Sequence, residues 1–186
     1  MNIKGIFFVT AKTVLIQGFG EERWNAFIAK LAEKDPYFGK MIMAISYVPI
    51  EKLIIFFDEM CKEFFNGDKM AYEIIGRSGA KYVLQPGGMF NAYLLNKDLK
   101  NFVEFVLPKL WTTYYDGGTI TATLENNTVH IKITGVDVKN VYFEHLLNGY
   151  YQQALKVVGK KTVPKKVRSI TQGDNDIYFQ YALQDA

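Results

Sequence analysis

Two histidines, one cysteine and an aromatic cluster offer most of the chemistry in this sequence. His130 alternates with Val129, Ile131 and Ile133, so on a strand it faces away from them. His145 sits inside a helical pattern, Val141 to Val158. A general acid or base needs a partner within hydrogen-bond reach, and each histidine reads as an ordinary surface or boundary residue. No HExxH, Cys-His or carboxylate-histidine spacing suggests a metal. Cys61 falls on the apolar face of its helix and reads as inert packing. A lone cysteine also excludes an intrachain disulfide and a multi-cysteine zinc site, which makes a reducing compartment the default. Ser46, Ser78 and Ser169 have no base beside them, and Gln85-Pro86-Gly87-Gly88 lacks the Lys-Ser/Thr ending of a phosphate loop. No catalytic or metal-binding residue is assigned, and the chain is read as a non-enzyme.

Trp111, Tyr114 and Tyr115, just before Asp116-Gly117-Gly118, form the densest aromatic cluster. They could border a pocket, offering flat surface and hydroxyl donors. Plain packing of a helical half on a sheet is the commoner use of such residues. Lys160, Lys161, Lys165, Lys166 and Arg168 make a basic stretch. It reads as a solvated strand edge, where lysine discourages unwanted pairing, with an acidic partner or lipid headgroup as the alternative. Twenty-two basic against nineteen acidic residues leave a net charge of +3, too small and too dispersed for nucleic acid.

The elements around these residues are legible from periodicity. Ile3 to Gln17 reads as a helix stopped by Gly18 and Gly20, and a second begins at Glu21-Glu22 and carries Trp24, Phe27, Ile28 and Leu31. Pro49 opens a third (Ile50, Leu53, Ile54, Phe57, Cys61, Phe64) that ends at Asn66-Gly67. A fourth runs from Asp68 to about Ala80 with Met70, Ile74 and Ile75 on one side. From Asp98 a helical pattern returns, which Pro108 kinks or restarts. After Gly118 the period becomes two: Ile120, Ala122 and Leu124, a turn at Asn126-Asn127, then Val129, Ile131 and Ile133. The Val141–Val158 helix ends at Gly159, and Val163, Val167 and Ile170, then Ile177, Phe179, Tyr181 and Leu183, suggest two further strands. Helices first and strands later imply an α+β fold: an N-terminal helical half packed on a four-stranded antiparallel sheet, with a long helix between two hairpins. Residues 1–186 form one domain, and 49% hydrophobic residues suffice for its core. The apolar run Gly5 to Ala11 is interrupted by Lys12, and nothing approaches the roughly 20 residues of a membrane span. A cytoplasmic domain is expected.

Four motifs, in order, resemble the haem–nitric-oxide/oxygen-binding (H-NOX) family. They are Lys4-Gly5-Ile6 with Phe19-Gly20-Glu21-Glu22 and Trp24; Phe65 to Ala80 with Gly76-Arg77; Leu146-Leu147-Asn148-Gly149 with Val158-Gly159; and Gly173-Asp174 through Phe179. The last is similar to the closing strand of 4-vinyl-reductase and TRAPP-like relatives. The resemblance implies a sensory domain and places Val103, Val106 and Leu107 at the ancestral pocket, joined by Trp111 and Tyr114 as candidate ligand-binding residues. Haem-binding members carry a histidine in a Leu-x-Asn-x-His-x-x-Val helix; Leu99 to Val106 fits that frame with Val103 at the histidine position, and valine cannot ligate iron. The family's Tyr-x-Ser-x-Arg propionate clamp is matched by neither Tyr nor Arg between Val129 and Thr134, and residues 82 to 116 contain no histidine. The expectation is therefore a domain without haem or other cofactor, binding a hydrophobic small molecule and signalling to a protein partner. The alternatives are a haem gas sensor ligated by His145 or a methionine, and a TRAPP-like scaffold acting as a homodimer.

Overall fold

The computed structural model describes residues 1–95 and 98–185. The chain opens with β1 (Asn2–Lys4), where periodicity alone predicted helix, and β1 pairs antiparallel with β2 (Tyr47–Pro49). Ile3 is fully buried there, and a short apolar run does not reveal which element buries it. Gly5 allows the turn into α1 (Ile6–Phe19), because a Cβ at this position would overlap the Met43 carbonyl oxygen. Gly18 does not stop α1; Gly20, at φ 88°, does. Then follow α2 (Glu21–Lys34) and α3 (Ile50–Phe64), the latter closed by Asn66 and Gly67 with positive φ.

Helix α4 (Ala71–Leu84) runs a turn beyond its expected end, straight through Gly76 and Gly79. Its buried side is Tyr72, Gly76, Ala80, Val83 and Leu84, whereas Met70 and Ile74 are exposed. The segment before Pro108 is the most unusual. A short α5 (Leu99–Asn101) widens into a π turn, Phe102–Val106, before α6 (Leu107–Tyr114). Proline offers no N–H, and the Leu107 N–H donates to the Phe102 carbonyl across the wider turn.

The second half follows the expected pattern. β3 (Thr119–Glu125) and β4 (Thr128–Thr134) form a hairpin through Asn126 and Asn127, both at positive φ. Helix α7 (Val141–Val157) is capped by Asn140 and followed by β5 (Lys160–Arg168) and β6 (Asp176–Asp185). The sheet order is β3-β4-β6-β5, all antiparallel. Val129, Ile131, Ile133, Ile177, Phe179 and Tyr181 form its buried face, and His130 looks outward onto Tyr178 (Nδ1 to Oη 2.6 Å). The basic stretch lies on edge strand β5, where Lys166 reaches the buried Glu144 of α7 (2.8 Å) and Arg168 grips Asp176. Among the described residues, no helix is long and apolar enough to cross a membrane.

Candidate functional site

Helices α4 and α7 cross with their backbones nearly touching. A Cβ on Gly76 would overlap the Leu146 carbonyl oxygen, and one on Gly149 would overlap the Glu73 carbonyl. Helical glycine is destabilising by about 1 kcal/mol relative to alanine, so a pair of them here reflects steric need. The crossing also fixes α7 over the sheet, where the Tyr181 hydroxyl donates to Asn148 (3.1 Å).

Beside this crossing lies a cavity of about 250 Å³, bounded by α1, α4, α6 and α7. Its walls are almost entirely apolar. The deep end is made by Leu107, Leu110, Trp111 and Tyr114 of α6, Tyr115 beyond it, and Leu146, Leu147, Tyr150 and Tyr151 of α7. Leu107, Leu110, Trp111 and Tyr114 recur at helical spacing, so α6 presents one continuous side. Trp111 is held by a hydrogen bond from Nε1 to the Gly117 carbonyl (3.1 Å) and by stacking on Tyr115 at 4.1 Å. The mouth is made by partly exposed residues of α1 and α4, namely Val14, Gly18, Phe19, Ile74, Ser78 and Gly79. Gly18 and Gly79 have nothing within 4 Å of where a Cβ would stand, so both border open space.

The hydroxyl of Tyr150 is fully buried. Tyr114 lies alongside, with ring centroids 6.1 Å apart, and its hydroxyl is the polar neighbour of the Tyr150 hydroxyl. Burial raises the phenol pKa of Tyr114, Tyr115, Tyr150 and Tyr151 well above the ordinary value, so all four stay protonated at neutral pH.

Of the five candidate ligand-binding residues, Leu107, Trp111 and Tyr114 line this cavity. Val103 and Val106 do not. They are buried where the π turn packs on β3, because the wider turn breaks the i, i+4 alignment of Val103 with Leu107. The aromatic cluster meets both uses foreseen for it, since Trp111, Tyr114 and Tyr115 are packed core and cavity wall at once. Tyr150, Gly18 and Gly79 were not foreseen. Two glycines three residues apart inside one helix, Gly76 and Gly79, were the signal available for the α4 side. His145 is absent from the cavity walls; its ring lies 6.3 Å from Tyr142, and desolvation together with nearby Lys166 lowers its pKa. Cys61 is buried and its thiol is pushed up to about 12, mainly by desolvation, which leaves it unreactive. Among the described residues no group of His, Cys, Asp and Glu is arranged to hold a metal.

The sequence matches no protein-family model, and no curated protein matches it. Solved structures do match. An H-NOX protein from S. oneidensis in the Fe(II)NO ligation state is 14% identical with a TM-score of 0.70, covering 98% of this chain and 99% of that one. A mutant of the S. oneidensis protein in the Fe(II) state reaches a TM-score of 0.74 at 13% identity, covering 98% and 97%. An Fe(II) unliganded H-NOX mutant from K. algicida gives 0.65 at 12% identity, covering 98% and 97%. Over almost its whole length this chain therefore has an H-NOX-like fold.

Proposed function

We propose that the chain is a non-enzymatic sensory domain that binds a small hydrophobic molecule in the α1/α4/α6/α7 cavity, without haem, and passes its occupancy to a protein partner. The observation that carries this reading is the composition of the cavity wall. Among the described residues it contains no histidine, lysine or arginine. Haem would need an axial ligand and cationic partners for two propionates, and this lining does not fit it. A packed TRAPP-like scaffold has no use for such a cavity, which favours the binding reading over that alternative.

Occupancy has a mechanical path outward. Trp111 and Tyr115 sit on the cavity, Tyr115 bridges to Ile3 of β1, and Asp116 accepts from both the backbone and side chain of Asn2 (2.6 and 2.7 Å). A ligand that favours one packing of α6 thereby biases the β1–β2 pair. Screening ligand-stripped protein against apolar small molecules tests the site. A saturable rise in melting temperature is expected, and a library that leaves it unmoved removes the reading's main support.

One observation keeps a haem-based reading in view: Met60 lines the cavity, and a thioether can ligate haem iron. Haemin titration separates the two. The haem-free reading expects the free-haemin spectrum throughout, whereas a stoichiometric Soret band abolished by Met60→Leu establishes the other.

A further inference from the structure

We propose that the loop leading into β2 is a membrane-docking surface, which places apolar side chains into the headgroup region of an anionic lipid bilayer. Burial alternates along this loop. Ile42, Ala44, Ser46 and Val48 are partly or fully buried, whereas Met41, Met43, Ile45 and Tyr47 are 90%, 55%, 78% and 56% exposed. That exposure is not looseness. The Gly5 N–H donates to the Ser46 carbonyl and the Ile6 N–H to the Ala44 carbonyl (both 2.8 Å), and the Ser46 N–H closes a turn on the Met43 carbonyl (3.0 Å). Ile42 and Ala44 pack against the core beneath. The start of α1 thus holds four large apolar side chains out in water, and a contiguous patch of this kind marks an interaction site.

Shape and charge decide what covers it. Met41 and Ile45 are so exposed that they project from the surface, and a projecting side chain enters a fluid layer without needing a matching pocket. Strand addition by a second copy is disfavoured, because Pro49 has no N–H to offer at the outer edge of β2. No Asp or Glu lies between Pro36 and Ile50; Asp35 before them is paired with Lys52, and Glu51 after them belongs to the first turn of α3. Lys40 is exposed at the start of the loop. Lys4 faces Tyr47 across the β1–β2 pair, its Nζ 5.4 Å from the ring centre. Apolar tips backed by a tyrosine and two lysines suit a bilayer surface. The methionines and isoleucine reach the acyl boundary, the phenol stays at headgroup level, and the ammonium groups meet lipid phosphate. The loop backbone remains in the hydrated headgroup layer, where water satisfies it.

The test is co-sedimentation of the full chain with extruded vesicles of phosphatidylcholine, alone or mixed with phosphatidylglycerol. Binding to the mixed vesicles is expected, weaker on phosphatidylcholine alone and weaker at raised salt, because the lysine contribution is electrostatic. The double variant Met41→Ser/Ile45→Ser should lower partitioning by about tenfold or more. Its melting temperature should be unchanged, since both side chains stand outside the core. Met89→Ser, which alters an exposed methionine elsewhere, should leave partitioning as it is. The proposal is overturned if the chain stays in the supernatant with mixed vesicles, if the double variant sediments as the unmodified chain does, or if Met89→Ser weakens binding equally. A dimer seen by light scattering and abolished by the double variant, without vesicle binding, assigns the loop to a second copy and overturns it too.

Discussion

Gly76 and Gly79 lie one turn apart on α4 and do opposite work. Gly76, with Gly149 of α7, closes a crossing so tightly that no Cβ fits against the facing carbonyl. Gly79, with Gly18 of α1, leaves a gap in which a Cβ would touch nothing. The first pair welds α4 to α7 and holds one wall of the cavity in place. The second keeps a mouth between α1 and α4. Glycine in a helix thus marks either forced closeness or deliberate space, and only the surroundings tell which.

The sharpest contrast is Gly76→Ala or Gly149→Ala, either of which should destabilise the fold by roughly 3 kcal/mol or more, since a methyl meets backbone that cannot yield. Chemical denaturation checks it. A near-neutral result would mean that α4 and α7 can separate freely, and the weld would be an illusion. Alkaline pH probes the deep wall next. Tyr114, Tyr115, Tyr150 and Tyr151 have raised pKa values, so their stabilising contribution is complete below the ordinary phenol value near 10. It is lost as pH rises from there toward the folded values, at up to about 1.4 kcal/mol per phenol for each pH unit. Phenolate absorbance should therefore appear for these residues together with unfolding; smooth titration in the folded protein would show that water reaches the deep end.

At the mouth, Gly79→Phe should leave the fold intact yet weaken binding of 2-isopropylnaphthalene by about tenfold or more, which calorimetry reads directly. Undiminished binding would place the route elsewhere. The smallest effect carries the opposite sign from the first. Gly79→Ala and Gly18→Ala should each stabilise the protein by about 1 kcal/mol, because alanine is the better helix former and neither methyl is obstructed. Thermal melts of Gly76→Ala and Gly79→Ala side by side then display the whole comparison in one helix.

The architecture was readable from the sequence because its signals are local. Alternation at Val129–Ile133 and Ile177–Leu183, the Asn126-Asn127 turn and the Gly159 stop each depend on near neighbours, and each lies where expected. The expectations that missed concern distant partners. β1 is a strand because β2, some 45 residues away in the chain, completes it. Helix α4 continues through its glycines because α7 crosses there. At the site, Leu107, Trp111 and Tyr114 were legible from spacing along α6, whereas Val103 and Val106 fell outside it because a π turn changes the register, which periodicity does not reveal. Tyr150 was illegible for a different reason: only the packing of α7 beside α6 brings it to the cavity wall.

The most direct test of the account is a crystal of this protein held under xenon pressure, since xenon enters apolar cavities without needing a particular ligand chemistry. The account predicts an ordered xenon atom between α6 and α7, in contact with Leu110 and Leu146 and in line with the gap at Gly18 and Gly79. Side chains filling that volume, with xenon found only elsewhere, would contradict it.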